Sequence, residues 1–234
     1  MTTSEERLPI GAASELEGRV RLVAQIARGI AHDLGNLLLP SRDRLKELDE
    51  IEAVPATLRR DVGRAGMILD HLDSIRMSWR RLVAAEAIDH EDEPITELNA
   101  WWGEVRSAMR SVLPAGSVID ANLTAEEDER TVAAPASALT RTTLGYFLDC
   151  GYGHDDPIRL TIRADEDHDA DDGVRLVRID FSATSRRFGT TDDEQPRRWS
   201  DEAIAFARRT VEVFDASVET FEDGLRARVS LPLV

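Results

Sequence analysis

The sequence is poor in cysteine, in aromatic side chains and in positive charge. Its single cysteine, Cys150, excludes an intrachain disulfide and favours a reducing, cytoplasmic environment. The 45 acidic residues outnumber the 29 lysines and arginines and give a formal net charge of −16. Because phosphate contacts need clustered cations, this balance argues against nucleic acid and anionic membranes as direct partners. It leaves basic or mixed protein surfaces as partners.

A long apolar run and a secretory leader are also missing. No stretch approaches the ~20 apolar residues that a membrane-spanning helix requires. The beginning of the chain, Met-Thr-Thr-Ser-Glu-Glu-Arg, lacks the apolar core of a signal peptide. A hydrophobic content of 42% and a charged content of 32% are typical of a soluble globular protein. At 234 residues the chain suits one large or two small domains.

The sequence does contain a long amphipathic stretch over residues 13–51. Its apolar residues recur in alternating steps of three and four, which predicts one long helix with a seam for packing against other helices. In the seven-residue repeat of such a helix, written a to g, the seam residues occupy positions a and d. Placing Ile30 and Leu37 at position d puts His32 at position f, furthest from the seam, so we expect the imidazole to face solvent. The seam residues are Leu16, Val20, Val23, Ala27, Ile30, Leu34, Leu37, Leu45 and Leu48.

His32 has two potential partners close by on the same helix. Asp33 follows it directly and Asn36 lies one turn further on, so all three side chains are expected to lie side by side. A carboxylate can hold one ring N–H and leave the other ring nitrogen nucleophilic. The carboxamide can position a water molecule or a phosphoryl oxygen.

A second amphipathic helix is predicted over residues 56–87, after a chain reversal that ends at Pro55. Pro55 suits the start of a helix because the missing N–H is not needed there. Two long helices joined by a short loop form an antiparallel hairpin. A lone hairpin cannot bury the apolar stripes of both helices, so we expect two chains to form a homodimeric four-helix bundle.

After the charged linker Asp89–Pro94 the pattern becomes mixed. This boundary divides the chain into a helical part, residues 13–88, and a second part, residues 95–234. In the second part the pattern turns to α/β, so the fold class expected is α plus α/β. Its predicted elements are helices over 95–113, 136–150 and 201–214, strands over 117–123, 158–162 and 174–181, and a hairpin of 217–220 with 225–231.

The segment Gly29-Ile-Ala-His-Asp-Leu-Gly-Asn-Leu-Leu38 resembles the H-box of bacterial sensor histidine kinases, which reads His, an acidic residue, two variable positions, then Asn or Thr. The commonest version continues with proline, whereas this chain has Leu37 there and Pro40 three residues later. The resemblance implies that residues 13–88 are a dimerisation and phosphoacceptor domain. The element order of residues 95–234 resembles the Bergerat-like ATP-binding domain of the same kinases.

The residues that would bind the nucleotide depart from that family. The helix that carries its magnesium-binding asparagines has Gly145 and Asp149 at those positions. The motif Asp-x-Gly-x-Gly keeps only its aspartate, Asp180, and the lid segment, residues 195–202, has no glycine to turn backbone N–H groups toward phosphate. We therefore expect a degenerate nucleotide site with no cofactor or metal bound by this chain, although Asp149 and Asp180 leave residual nucleotide or Mg²⁺ affinity open. The acidic segment 165–173 lacks the EF-hand spacing of a calcium loop and is interpreted as a solvated turn.

With an H-box and no intact ATP site, the chain resembles the histidine phosphotransferases of bacterial phosphorelays. The resemblance implies that His32 takes a phosphoryl group from one response-regulator receiver domain and passes it to another. Asp33 would hold and deprotonate the imidazole and Asn36 would orient the phosphoryl oxygens, while Mg²⁺ would come from the receiver domain. An upstream hybrid kinase is a further expected partner, and the signal is expected to arrive through another protein. Three alternatives stay open: an active ATP-dependent kinase, a receiver phosphatase and a non-catalytic pseudokinase scaffold.

Overall fold

The structure, a computed structural model, describes residues 12–51, 55–86, 95–123, 130–151, 156–168, 175–186 and 194–234. These residues form five α-helices and eight β-strands. In chain order they are α1 (Ala12–Asp49), α2 (Ala56–Leu82), β1 (Thr96–Glu97), α3 (Leu98–Ser111), β2 (Val118–Asn122), β3 (Thr131–Val132), α4 (Ala136–Gly151), β4 (Ile158–His168), β5 (Arg175–Arg186), β6 (Glu194–Arg197), α5 (Asp201–Val211), β7 (Ser217–Phe221) and β8 (Arg226–Pro232). Short 3₁₀ turns follow α2 and α5.

Helices α1 and α2 form an antiparallel hairpin along a stripe of mostly small residues on α1. The buried positions in the middle of this stripe are Ala24, Ala27, Ala31, Gly35 and Leu38. Their spacing of three and four residues keeps them on one face of the helix. Because alanine and glycine occupy little space, the two helix backbones can approach closely along this face.

The α/β part is a six-stranded sheet in the order β2-β4-β5-β8-β7, with β6 paired to β5. Strands β2 and β4 are parallel and the other pairs are antiparallel. Alternate residues of the two central strands are buried, which is the period-two pattern of a sheet with one covered face. These residues share one core with the helices: Ile158, Leu160, Ile162 and Ala164 on β4, and Val177, Ile179, Phe181 and Ala183 on β5.

The base of the hairpin belongs to the same core as the α/β part. Leu16 and Val20 of α1 and Leu82 of α2 are buried in the cluster that contains the sheet residues. Arg141 of α4 connects the α/β part to the hairpin. Its guanidinium donates to the carbonyl of Ala85, after α2, at 2.7 Å and binds the carboxylate of Glu17 on α1. The two parts are therefore packed against each other, and the predicted linker, residues 89–94, lies outside the described residues.

The α plus α/β fold class is confirmed, and the predicted helices and strands are present with shifted ends. Three details differ from the prediction. Leu37 was assigned to the packing seam but its side chain is 69% exposed, and Leu38 is buried in its place. No strand was predicted over residues 194–197, yet these residues form strand β6. Part of the segment interpreted as a turn, residues 165–168, continues strand β4, and the rest of it lies outside the described residues.

None of the helices within the described ranges combines the length and the apolar character needed to cross a membrane.

Gly145 allows α4 and α5 to approach each other. A methyl group at this position would lie 2.7 Å from Cδ1 of Phe206, which is too close without a shift of the ring. We expect Gly145→Ala to lower the free energy of unfolding by about 1–3 kcal/mol through overpacking. Urea denaturation followed by circular dichroism would measure this change.

The matched control is Gly63→Ala in α2, where a methyl group would meet no atom within 4 Å. At that exposed helical site alanine should raise the free energy of unfolding by about 0.5–1 kcal/mol. Equal effects of the two substitutions would contradict the packing described for Gly145.

Candidate functional site

His32 lies in the middle of α1, outside its buried stripe. Its side chain is 71% exposed and that of Asp33 is 80% exposed. Asn36 is also exposed. The buried neighbours Ala31 and Gly35 fix the rotation of the helix, so these three polar side chains face solvent as the sequence predicted.

Both predicted partners contact the ring of His32. The Nδ1 atom of His32 lies 3.1 Å from Oδ1 of Asp33. The Nδ2 atom of Asn36 lies 3.2 Å from Nδ1 and 3.5 Å from Nε2 of the same ring. The i, i+4 spacing on a helix produces the second contact and the adjacent position produces the first.

This geometry favours one tautomer of a neutral imidazole. An ionised carboxylate only accepts hydrogen bonds, so the Nδ1–H group donates to Asp33 and the lone pair of the ring resides on Nε2. The Asn36 amide can then donate toward Nε2 or toward a group attached to it. The arrangement supplies a solvent-accessible nitrogen nucleophile with its tautomer held by a carboxylate.

Two arginines, one on each helix of the hairpin, lie near this site and could not be identified from the sequence. Arg28 precedes His32 by four residues and forms an ion pair with Glu86. Arg76 of α2 lies against Gly35, with its Nη1 atom 3.7 Å from the place of a methyl group there. Its Nε atom donates to Asp73 at 2.6 Å, and this contact lowers the pKa of the Asp73 carboxyl. Only the contact between the two helices reveals this cluster.

In the region that would bind a nucleotide, Asp149 is engaged in a structural role. Its carboxylate accepts hydrogen bonds from the backbone N–H of Ser200 at 3.0 Å and from the Ser200 hydroxyl. The hydroxyl oxygen of Ser200 accepts in turn from the N–H of Ala203 at 3.1 Å and caps α5. Asp149 therefore stabilises the beginning of α5.

Asp180 is also occupied by another side chain. Arg228 on the neighbouring strand β8 donates to both of its carboxylate oxygens, at 2.6 Å from Nε and 2.9 Å from Nη2. The two residues face each other directly across the β5–β8 pair. This two-point contact raises the pKa of the Arg228 guanidinium. For Asp180 to accept a hydrogen bond from the amino group of an adenine, its ion pair with Arg228 would have to open.

Aromatic rings from the elements that carry these two aspartates pack together. The ring of Tyr146 stacks on Phe181 with 4.6 Å between centroids and meets the edge of Trp199 at 4.8 Å. The Trp199 indole N–H donates to the carbonyl of Phe181 at 3.1 Å. Burial raises the pKa of the Tyr146 hydroxyl, which stays protonated at neutral pH. The side chains of this region thus form a packed aromatic cluster.

Within the described ranges, no group of three or more histidine, cysteine or carboxylate side chains is arranged to bind a metal ion.

The contact with Asp33 predicts the tautomer of His32. In ¹⁵N–¹H correlation spectra above the titration range of histidine, we expect the His32 signals to indicate a protonated Nδ1. Asp33→Ala removes the acceptor, so the population of this tautomer should fall. His71, an exposed histidine on α2, serves as the internal reference and should not change. An Nε2–H tautomer of His32 in the unaltered protein would contradict the proposed orientation of the ring.

The sequence matches no protein-family model and no curated protein. Several solved structures align with the chain at low sequence identity. The histidine kinase domain of the blue-light activated histidine kinase EL346 from Erythrobacter litoralis is 14% identical, with 88% of this chain and 95% of that chain covered and a TM-score of 0.39. The Acinetobacter baumannii histidine kinase AdeS is 16% identical over 86% and 96% of the chains, with a TM-score of 0.37. The mycobacterial sensor histidine kinase MprB is 12% identical over 59% and 97%, with a TM-score of 0.37. At these values the similarity does not assign an activity to this chain.

Proposed function

We propose that this chain is a histidine phosphotransferase that relays phosphoryl groups between response-regulator receiver domains. The single observation that carries this proposal is the exposed His32 imidazole, with Nδ1 3.1 Å from Asp33 and the Asn36 amide within 3.5 Å of Nε2. Phosphoryl transfer asks mainly for in-line positioning and charge stabilisation. A nucleophile on a rigid helix meets the first requirement.

In the forward step, Nε2 of His32 attacks the phosphorus atom of an aspartyl phosphate. The bond between phosphorus and the aspartate oxygen breaks, and the carboxylate leaves with the electron pair. Asp33 holds the Nδ1–H group and stabilises the positive charge that develops on the ring, while Asn36 donates to a phosphoryl oxygen. The receiver domain supplies Mg²⁺, and the reverse step passes the group to the next receiver.

The packing of the α/β part supports a phosphotransferase over an ATP-dependent kinase. Asp149 caps a helix through Ser200 and Asp180 is bound by Arg228. The rings of Tyr146 and Trp199 pack against each other with 4.8 Å between their centroids. A nucleotide would have to displace these contacts.

We predict that His32 becomes labelled when the protein is mixed with receiver domains carrying a ³²P-aspartyl phosphate. The label should survive alkali and be lost in acid, because a phosphorus–nitrogen bond has formed. His32→Gln should abolish the label, whereas His71→Gln, a substitution at another exposed histidine, should retain it. Asn36→Ala should slow transfer because a donor to the phosphoryl oxygens is lost.

The same experiment separates the alternatives. Label on His32 from Mg²⁺-ATP alone would identify a kinase and contradict the proposal. Loss of phosphate from the receiver with no label on His32 would identify a phosphatase. If the aspartyl phosphate stays unchanged on every receiver domain of the organism that encodes the chain, the protein would be identified as a non-catalytic scaffold.

We further propose that the phosphotransferase acts as a homodimer. The hairpin carries an apolar groove of about 330 Å³ lined by Ser41, Arg44, Leu45, Ala65, Ile68 and Leu69. Ile68 in this groove is 61% exposed in the single chain. Leu37, half-buried Leu34 and exposed Leu48 continue the apolar surface along α1. A second hairpin would cover this surface and complete a four-helix bundle.

The groove predicts a charge-sensitive dimer. In size-exclusion chromatography with light scattering, the 26.0 kDa chain should elute at twice its mass, and Ile68→Glu should shift it to the monomer. Met67→Glu is the control, because Met67 is 73% exposed but does not line the groove. A monomeric unaltered chain, or equal dissociation by both substitutions, would contradict this interface.

A further inference from the structure

The contacts between α1 and α2 identify the residue of α2 that lies opposite His32. Gly35 is in contact with Arg76, and Arg42, further along α1, bonds Asp70 at 2.6 Å, further back along α2. The two helices are therefore antiparallel in a fixed register. Because the helices are antiparallel, the position of His32, three residues before Gly35, corresponds to the position three or four residues after Arg76, which is Trp79 or Arg80. Trp79 is partly buried against the core, whereas Arg80 is exposed, so Arg80 is the exposed residue of α2 at the level of His32.

Arg80 differs from the other two arginines close to His32. Arg28 is paired with Glu86, and Arg76 donates to Asp73. Arg80 is exposed and, within the parts of the chain that the structure describes, makes neither an ion pair nor a side-chain hydrogen bond. Its guanidinium is thus available to bind an anion at the same level along the hairpin as the His32 imidazole.

Neither of the two side chains that contact His32 is a cation. Asp33 is negatively charged and Asn36 is neutral, so a phosphoryl group on Nε2 would add negative charge beside a carboxylate. A guanidinium can neutralise such a group and bind two of its oxygens in parallel. The chain as a whole carries a net charge of −16, which makes a local cation more important for an anionic donor to approach.

We propose that Arg80 is a catalytic residue that binds the phosphoryl group as it is transferred to and from His32. This inference rests on the proposed phosphotransferase function. Arg80 keeps all of its protons and donates to two non-bridging oxygens, while Nε2 of His32 forms the new bond to phosphorus. The bond to the leaving group breaks on the opposite side. Arg80 therefore stabilises charge and takes part in no proton transfer.

The test uses phosphoramidate, a small donor whose phosphorus–nitrogen bond breaks with release of ammonia when an imidazole attacks. We expect the full-length chain to form phosphohistidine at His32 with this probe. Arg80→Gln should slow formation by about tenfold or more, because a charge-assisted donor to the transferring group is lost. Arg80→Lys keeps the charge and should stay within about threefold of the unaltered chain.

Arg81→Gln is the matched control. Arg81 lies in the same last turn of α2, carries the same charge and bonds Glu104 of α3 at 2.8 Å. It should react with phosphoramidate at the unaltered rate. Thermal unfolding followed by circular dichroism should show that both glutamine variants are folded. A slower reaction of Arg80→Gln then cannot be attributed to unfolding of the protein.

The outcomes distinguish this inference from the proposed function. Rapid labelling of the unaltered chain with an equal rate for Arg80→Gln, or equal slowing by Arg81→Gln, would overturn the role of Arg80 and leave the phosphotransferase intact. No labelling of the unaltered chain by either phosphoramidate or phosphorylated receivers would overturn both. Slowing confined to Arg80→Gln, with recovery in Arg80→Lys, supports the assignment.

Discussion

The close contact between α1 and α2 determines which way His32 points. Ala27, Ala31 and Leu38 are buried in this contact, and Gly35 lies directly against Arg76. Each residue turns the helix by about 100°, since 3.6 residues complete a turn. Rotating α1 by one residue would place the imidazole in the contact and expose the apolar stripe. Burying an unpaired polar ring costs free energy, and so does exposing leucine. Packing therefore holds the histidine outward.

An exposed histidine on a convex helix suits a macromolecular partner. Sites for small molecules are usually concave and bury most of the ligand. His32 and Asp33 are more than two-thirds exposed, so the chain alone cannot exclude water from a reacting group. On the proposed function, the receiver domain closes the site and brings the metal ion. Because the receiver domain would supply these parts of the site, three residues on one helix would be enough for phosphoryl transfer.

The sequence predicted the hairpin and the orientation of His32 because both follow from hydrophobic periodicity. It placed Leu37 in the seam because Leu37, Leu38 and Leu39 are adjacent and periodicity alone cannot rank identical neighbours. The packing of α2 selects Leu38, leaving Leu37 and Leu39 69% and 65% exposed. Strand β6 was missed because its residues, Glu-Gln-Pro-Arg, have no strand pattern of their own. It forms by pairing with the end of β5.

The partners of Asp180 and Asp149 could not be predicted for a different reason. Arg228 is 48 residues away from Asp180 in sequence, and only the register of β5 and β8 brings them together. The same holds for Ser200 and Asp149, which are joined by the packing of α5 against α4. The sequence showed that residues 195–202 contain no glycine, but the partners of these two carboxylates depend on long-range contacts.

The junction between the hairpin and the α/β part bears on how the two halves work together. A kinase that phosphorylates a histidine must bring its bound nucleotide to that residue. Here Arg141 ties α4 to the base of the hairpin through Glu17 and the carbonyl of Ala85, and its guanidinium lies 5.0 Å from the centroid of the Phe206 ring. Its side chain is 9% exposed, so separating the halves would break these charge-assisted hydrogen bonds and expose the apolar residues packed around the junction to water. The α/β part and the base of the hairpin are thus held together by buried contacts. On the proposed function, this packing would give the hairpin that carries His32 a stable platform.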